Sequence, residues 1–322
     1  MSKRSAISNK IIAISGFSGF VGKRLVNQLG ARNFKKIYLI SRKSNLITFD
    51  FKNCELINIG ISYGKIKKHK SKLRKVDVFY HLAYENSLIE AINNKKKILN
   101  NNLGPIKKIL NDLKPGSIFI FTSSASVYGS SLKKITENSA INPLSNYDIN
   151  KILCENYIKK FCNINKINYL IFRLSNIYGA QIQTKNNRGF LFNFIRKIYT
   201  NSNILLNTNG KYYRDYLYID DCIKGLEKAM LLKKKHLNKT YNLFYGKSYT
   251  LVNIFNFTKK IFLKKYNHKN LSNLFVNQYK NINPTDSRNF FGSSKLYQTS
   301  AKWKPFVDIR SGITKVLNDI KN

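Results

Sequence analysis

Apolar and polar positions alternate in two ways along the first half of the chain. Short runs of apolar residues are separated by longer segments in which apolar residues recur every three or four positions. The first pattern predicts buried strands and the second predicts amphipathic helices. The predicted strands are 11–15, 36–41, 54–59, 76–83, 117–123 and 168–175, and the clearest predicted helices are 20–31 and 88–113. This order is typical of βαβ units around a buried parallel sheet.

The second half of the chain is organised differently. From about residue 180 the predicted elements are shorter and less regular, as in segments 215–232 and 249–265. We therefore predict an α/β fold with two parts. Residues 1–175 would form a doubly wound parallel sheet, and residues 176–322 would mainly form a smaller C-terminal α/β lobe, with some segments returning to the first part.

The composition indicates a folded protein of the cytoplasm. Hydrophobic residues make up 43% of the 322 residues, which is enough for a full core. No apolar run approaches the roughly 18 residues that span a bilayer, and the N-terminal segment does not resemble a signal peptide. The four cysteines form no C-x-x-C pair and do not cluster with histidines, so we expect free thiols and no metal site.

The formal net charge of +41 raises the alternative of a nucleic-acid partner. The basic residues are spread along the chain instead of being concentrated in one segment, and lysine, asparagine and isoleucine are enriched together. This pattern favours compositional drift of the coding sequence over a selected nucleic-acid surface. We therefore expect no nucleic-acid partner, although the positive field would favour anionic substrates.

A glycine-rich turn joins the first predicted strand to the first predicted helix. In ISGFSGFVGKRL, Gly16, Gly19 and Gly22 have the spacing G-x-x-G-x-x-G, with Phe20 and Val21 inside the motif. Such glycines permit a tight turn, a close approach to a pyrophosphate and close helix packing. A strand-to-helix turn without a ligand is the alternative. As the first βα turn of a βαβ series, the motif favours dinucleotide binding and a Rossmann-type sheet.

The end of the second strand indicates which nicotinamide cofactor binds. An acidic residue at this position would bind the ribose 2′-hydroxyl, whereas a basic residue accommodates a 2′-phosphate. The chain has Ser41 and Arg42 here and no acid. We therefore expect NADP(H) or NAD(H) as the cofactor, with a preference for NADP(H).

A tyrosine and a lysine are spaced for acid/base chemistry on one helix face. Tyr147 precedes Lys151 by four positions, so both side chains would lie on the same face. Tyr63 and Lys67 have the same spacing, but no strand-exit hydroxyl precedes them at a comparable distance. A serine cluster at 123–126 does precede Tyr147, although such a cluster can also cap backbone groups.

Together these motifs resemble the extended short-chain dehydrogenase/reductases, specifically the NAD-dependent epimerase/dehydratase family that acts on nucleotide sugars. VDVFYHLA, NNLG, RLSNIYG, RDYLYIDD and the C-terminal SSKLYQTSAKWKP are similar to further segments of that family. The resemblance implies cofactor contacts by His81, Leu82, Ala83, Asn101, Tyr147 and Lys151, catalysis by Ser124, Tyr147 and Lys151, and nucleotide-sugar contacts by Ser124, Asn176 and Arg214.

The resemblance also implies the reaction. We expect hydride transfer at C4 of a nucleotide-linked hexose, by an epimerase or by an NADPH-dependent 4-keto-sugar reductase. The resemblance also implies a substrate-binding C-terminal lobe and a homodimer. A 4,6-dehydratase is disfavoured because Ala125 and Ser126 stand where such relatives have an Asp-Glu pair. A non-catalytic relative that senses dinucleotides or binds nucleic acid is the remaining alternative.

Overall fold

The structure is a computed structural model. It describes residues 9–32, 34, 36–41, 55–60, 70–85, 95–179, 190–206, 208–266, 275–277 and 284–321. Arg42, Tyr63 and Lys67 lie outside the described residues. Within the described part of the chain, no helix is long and apolar enough to cross a membrane.

The strands follow the chain as β1 (Ile11–Ser15), β2 (Lys36–Ser41), β3 (Glu55–Gly60), β4 (Val78–His81), β5 (Ile118–Ser124), β6 (Lys134–Ile135), β7 (Asn168–Leu174), β8 (Asn176–Tyr178), β9 (Ile204–Leu206), β10 (Arg214–Tyr218), β11 (Lys239–Leu243), β12 (Ser248–Tyr249), β13 (Phe275–Asn277) and β14 (Phe291–Gly292). The helices are α1 (Phe20–Gly30), α2 (Lys70–Leu73), α3 (Lys95–Asp112), α4 (Asn146–Ile164), α5 (Phe190–Tyr199), α6 (Ile219–Ala229), α7 (Leu251–Tyr266), α8 (Lys295–Ala301) and α9 (Ile309–Lys321).

The chain divides into two compact units. The first unit comprises residues 1–124, 145–173 and 223–241, and the second comprises residues 125–144, 174–222 and 242–322. The chain therefore passes between the units several times, and residues 223–241 belong to the first unit.

The first unit is built on a seven-stranded sheet. Its strand order is β11-β7-β5-β4-β1-β2-β3, and β1 pairs in parallel with both β2 and β4. The strand order therefore reverses at β1, which is where ligands bind in open α/β sheets. The Rossmann-type parallel sheet predicted from the sequence is confirmed.

One face of this sheet carries a large apolar core. Phe79 of β4 stacks on Phe119 of β5 with ring centroids 5.6 Å apart, and buried residues of α3 and α4 pack in the same cluster. Cys154 and Cys162 of α4 are free and belong to this core. Burial raises the pKa of the Cys154 thiol to about 11 and that of Cys162 to about 12.

The second unit contains a three-stranded sheet, β12-β10-β8, and two pairs of short strands, β13-β9 and β14-β6. Helices α5, α7 and α9 pack against one another. Asp221, in the first turn of α6, accepts hydrogen bonds from the backbone N–H groups of Phe306 and Val307 at 2.9 and 2.8 Å. Cys222 follows it and is free and buried, and burial strongly raises its thiol pKa.

Candidate active site

A cleft of about 270 Å³ opens in the first unit at the carboxyl ends of β1 and β4. This is the point where the strand order reverses, as expected for a ligand site in such a sheet. Its lining includes these predicted cofactor residues: Gly16, Gly19, Ser41, His81, Leu82, Ala83 and Asn101. Phe20 and Val21 start α1, and Gly22 is buried behind them.

The shape of the cleft depends on two glycines. Gly16 has a φ of +74°, and a Cβ atom there would lie 2.5 Å from the backbone nitrogen of Ala83. A Cβ atom on Gly22 would lie 2.2 Å from the carbonyl oxygen of Gly16. Both distances are far below van der Waals contact, so a larger side chain at either position would force the glycine turn away from its neighbour.

The start of α1 suits an anion. Gly19 occupies the N-cap position without a side-chain cap, and no acidic residue lies in the first turn. The first backbone N–H groups of the helix are therefore available to phosphate oxygens, and the helix dipole favours negative charge there. These residues fit the pyrophosphate of a dinucleotide.

His81, the last residue of β4, lines the cleft. Its Nδ1 lies 2.9 Å from Ser15 Oγ, and the side chain is almost fully buried. Burial, helped by the charge of Lys151, lowers the pKa of His81 to about 3. The imidazole is therefore neutral at physiological pH and contributes no charge to the cleft.

Helix α4 presents Tyr147 and Lys151 one turn apart, as predicted. Ser145 caps the helix by accepting a hydrogen bond from the backbone N–H of Asp148 at 3.2 Å. This cap defines where the helix begins, and therefore which residues share its face. Tyr147 is half-buried, whereas Lys151 is 3% exposed.

The ammonium of Lys151 lies in an aromatic and polar enclosure. Its Nζ donates a hydrogen bond to the carbonyl oxygen of Thr122 at 2.8 Å and lies 5.7 Å from the ring centroid of Tyr147. It also lies 4.8 Å from the ring centroid of Phe121. Burial lowers the pKa of Lys151 to about 7, against the opposing influence of Cys154 and Glu155.

The predicted catalytic serine ends β5. Ser124 is half-buried there, two residues after the Thr122 carbonyl that holds Lys151. The preceding Ser123 has a structural role, because its hydroxyl donates a hydrogen bond to the Glu155 carboxylate of α4 at 2.5 Å. Strand β5 and helix α4 are thus joined at two points directly beside Ser124.

Glu155 is a functional candidate that the sequence did not reveal. Besides the Ser123 hydroxyl, its carboxylate accepts hydrogen bonds from Arg173 of β7, at 3.1 Å from Nε and 2.7 Å from Nη2. Both side chains are buried. This ion pair joins α4, which carries Tyr147 and Lys151, to β7 of the sheet, and it gives Arg173 a structural role.

Tyr84 is a second residue that sequence reasoning missed. It follows the HLA segment and lines the cleft. Its ring centroid lies 3.6 Å from Lys151 Nζ and 5.2 Å from that of Tyr147, which it meets edge-on. Tyr84 therefore connects the cleft to the pair on α4. No motif indicated it, because its contacts depend on the folding of α4 against the end of β4.

Two of the three predicted substrate residues, Asn176 and Arg214, belong to the second unit, whereas Ser124 belongs to the first. Asn176 of β8 donates a side-chain hydrogen bond to the carbonyl oxygen of Asp215 at 3.0 Å. Arg214, the first residue of β10, donates to the carbonyl oxygens of Tyr213 at 3.1 Å and Asp286 at 2.9 Å. Burial lowers the pKa of Arg214, and so does the charge of Arg288. The nearby Arg288 is a further cation that the motifs did not indicate.

The chain is similar to a known protein family and to several individual proteins. A family model described as the NAD dependent epimerase/dehydratase family matches residues 12–243. A putative UDP-glucose 4-epimerase of Methanocaldococcus jannaschii is 28% identical over 97% of this chain and 99% of its own length. UDP-glucuronic acid decarboxylase 1 of Arabidopsis thaliana is 25% identical over 97% of this chain and 70% of its own length.

A solved structure shares the fold. The UDP-glucuronic acid 4-epimerase of Bacillus cereus, in complex with UDP-glucuronic acid and NAD, superimposes with a TM-score of 0.79. The alignment covers 97% of this chain and 99% of that one at 20% identity. At this identity the likeness concerns the fold alone.

Proposed function

Because the chain belongs to the NAD dependent epimerase/dehydratase family, we propose that it transfers hydride at C4 of a nucleotide-linked hexose, with Tyr147 as the acid/base. The observation that carries this proposal is the buried ammonium of Lys151, held one helical turn from Tyr147 by the Thr122 carbonyl. An ammonium is costly to bury, and here it lies beside the phenol that would exchange the proton.

The chain's own residues would move the proton. The hydroxyl of Tyr147 would exchange a proton with the O4 oxygen of the sugar. The positive charge of Lys151 favours the phenolate form of Tyr147. Ser124 would position the sugar oxygen for proton exchange with Tyr147. The hydrogen bond from Lys151 to Thr122 and the one from Ser123 to Glu155 support this arrangement, because they set α4 against the end of β5.

The cofactor is a nicotinamide dinucleotide, which when bound supplies the group that accepts and returns the hydride. Gly16, Gly19 and the start of α1 would hold its pyrophosphate, and Ser41 would lie towards the adenosine ribose. We propose a preference for NADP(H), which rests on Arg42 and on the missing acid at the end of β2.

The second unit would hold the nucleotide sugar. We assign the diphosphate to Arg214, whose planar guanidinium suits phosphate oxygens, and to Asn176. Three backbone carbonyls orient Arg214 at its strand end, those of Tyr213, Thr285 and Asp286. UDP-sugars are the first substrates to test, because the relatives named above act on them.

A 4-keto-sugar reductase is the second candidate. The observation that favours it is the basic Arg42 and Lys43 pair, because a reductase consumes NADPH, whereas an epimerase retains NAD without net consumption. The two reactions share the residues of the first unit and differ in their redox balance.

Purified protein incubated with UDP-glucose, UDP-galactose or a UDP-4-keto-sugar would separate these functions. Interconversion of the first two, followed by NMR without a net change in absorbance at the nicotinamide band, indicates an epimerase. Stoichiometric loss of NADPH with the keto sugar indicates a reductase.

The proposed role of Tyr147 is tested by Tyr147→Phe, with Tyr157→Phe as the matched control. Tyr157 lies on the same helix but stacks on Phe161, and its ring faces Lys107. We expect Tyr147→Phe to lower turnover by a factor of about 100 or more, as for loss of a general acid/base, and Tyr157→Phe to leave it unchanged. Full turnover by Tyr147→Phe would refute the assignment.

A further inference from the structure

The ring of Tyr84 occupies the space between the cleft and the pair on α4. One side of the residue lines the cleft together with Gly16 and Ala83, and the ring face lies against the Lys151 ammonium at 3.6 Å. Its ring also meets that of Tyr147 edge to face at 5.2 Å. A single side chain thus contacts both Lys151 and Tyr147.

Apart from the more distant Phe121 ring at 4.8 Å and the influence of Cys154 and Glu155, the described residues give the Lys151 ammonium little other electrostatic support. Its one hydrogen bond shown among the described residues goes to a neutral carbonyl, that of Thr122. On its own helix the Glu155 carboxylate is engaged by Arg173. Across from it, His81 of β4 is neutral because its pKa is about 3. The negative face of an aromatic ring at this distance therefore becomes an important contribution to holding the charge.

The backbone that carries Tyr84 is fastened to α3. Asn102 accepts a hydrogen bond from the backbone N–H of Glu85 at 2.7 Å. Its amide also donates to the carbonyl oxygens of Glu85 and Ile98, both at 3.1 Å. Asn102 is 3% exposed. The position of the Tyr84 ring is thus set by a buried side chain that bonds both backbone groups of the next residue.

We propose that Tyr84 is a positioning residue of the proton-transfer site, whose ring face holds Lys151 as an ammonium beside Tyr147. This inference rests on the proposed function. Tyr84 keeps Lys151 protonated where the nicotinamide end of the dinucleotide would meet it, and it thereby couples dinucleotide affinity to the charge on Lys151.

Two variants separate the ring from the hydroxyl. Tyr84→Phe keeps the ring face and removes a buried hydroxyl that has no hydrogen-bond partner among the described residues. Tyr84→Leu keeps apolar bulk over Lys151 but removes the ring face. If the ring acts through its face, Tyr84→Phe should keep the pH dependence of NADH binding seen in the wild type, whereas Tyr84→Leu should change it.

The measurement is the dissociation constant of NADH, followed by its fluorescence across the Lys151 pKa of about 7. The other groups around Lys151 that have a shifted pKa do not titrate near pH 7. The pKa of His81 is about 3, that of Cys154 is about 11, and burial raises that of Tyr84 well above its usual value. In the wild type, affinity should fall as pH rises through this midpoint, because Lys151 loses its charge.

We expect the midpoint to lie about one pH unit lower in Tyr84→Leu and to stay in place in Tyr84→Phe. Phenylalanines with increasing fluorination at position 84 provide a second measurement that changes shape little, and the midpoint should fall progressively along that series. A midpoint that is the same in all these variants would overturn the inference but not the proposed function. Failure of the wild type to bind any nicotinamide dinucleotide would overturn both.

Discussion

We expect Glu155→Gln to lower the stability of the protein strongly, because Glu155 forms a buried ion pair with Arg173. Glu155→Gln keeps the size of the side chain but removes its charge. The carboxylate accepts hydrogen bonds from the Ser123 hydroxyl and from two guanidinium nitrogens, and a carboxamide turns one acceptor into a donor. The Arg173 guanidinium then remains in the interior without a counter-charge.

The size of the expected loss in free energy of unfolding follows from the burial of the pair. The side chains of Glu155 and Arg173 are 1% and 6% exposed. Removing one partner of such a pair typically costs about 3 to 5 kcal/mol in free energy of unfolding, because the other charge stays buried. Glu227 provides the control, since its pair with Arg32 has the same length of 2.7 Å but side-chain exposures of 13% and 58%. Glu227→Gln should cost only about 0 to 1 kcal/mol.

The assay is urea denaturation followed by far-UV circular dichroism, at equal protein concentration for all variants. The double variant Glu155→Gln with Arg173→Met should recover much of the loss, because it removes the uncompensated guanidinium. If Glu155→Gln and Glu227→Gln lowered the free energy of unfolding equally, burial would not be what makes the first pair matter, and this reasoning would be wrong.

Two further outcomes follow from the geometry. Gly22→Ala should weaken NADH binding at least about tenfold, because its Cβ would lie 2.2 Å from the Gly16 carbonyl oxygen. Gly104→Ala should bind NADH like the wild type in the same titration, because no heavy atom of the described residues beyond its own helical neighbours lies within 4 Å of the added Cβ. Lys151 has a folded-state pKa of about 7 against an ordinary value of 10.5, so the unfolded chain binds this proton more tightly. The wild type should therefore gain stability relative to Lys151→Met as pH rises between these values, and a constant difference in urea denaturation would contradict the pKa.

Local patterns predicted the sheet well. The apolar runs at 11–15 and 36–41 coincide with β1 and β2, and the glycine spacing placed a tight turn at the end of β1. These features depend on neighbours in sequence: strand length, alternation and turn glycines are visible within a few residues. The predicted helix at 88–113 corresponds to α3, which starts at Lys95 in the described part of the chain.

The contacts that complete the site were not visible in the same way. The Glu155 to Arg173 pair joins residues 18 positions apart, and the Ser123 to Glu155 bond spans 32. The chain offers many lysines, arginines and tyrosines, so charge or aromaticity alone does not select a partner. The packing of α4 on β5 and β7 decides that Glu155 faces Arg173, and its packing against the end of β4 decides that Tyr84 meets Lys151.

The buried thiols described above allow the opening of each unit to be measured separately. Alkylating and disulfide-exchange reagents react with thiolates, and Cys154, Cys162 and Cys222 are buried thiols whose pKa is raised. Each must become exposed before it reacts, so its modification rate reports how often its surroundings open. Cys154 and Cys162 belong to the first unit and Cys222 to the second. The order in which these thiols are modified would therefore record which half of the molecule opens first.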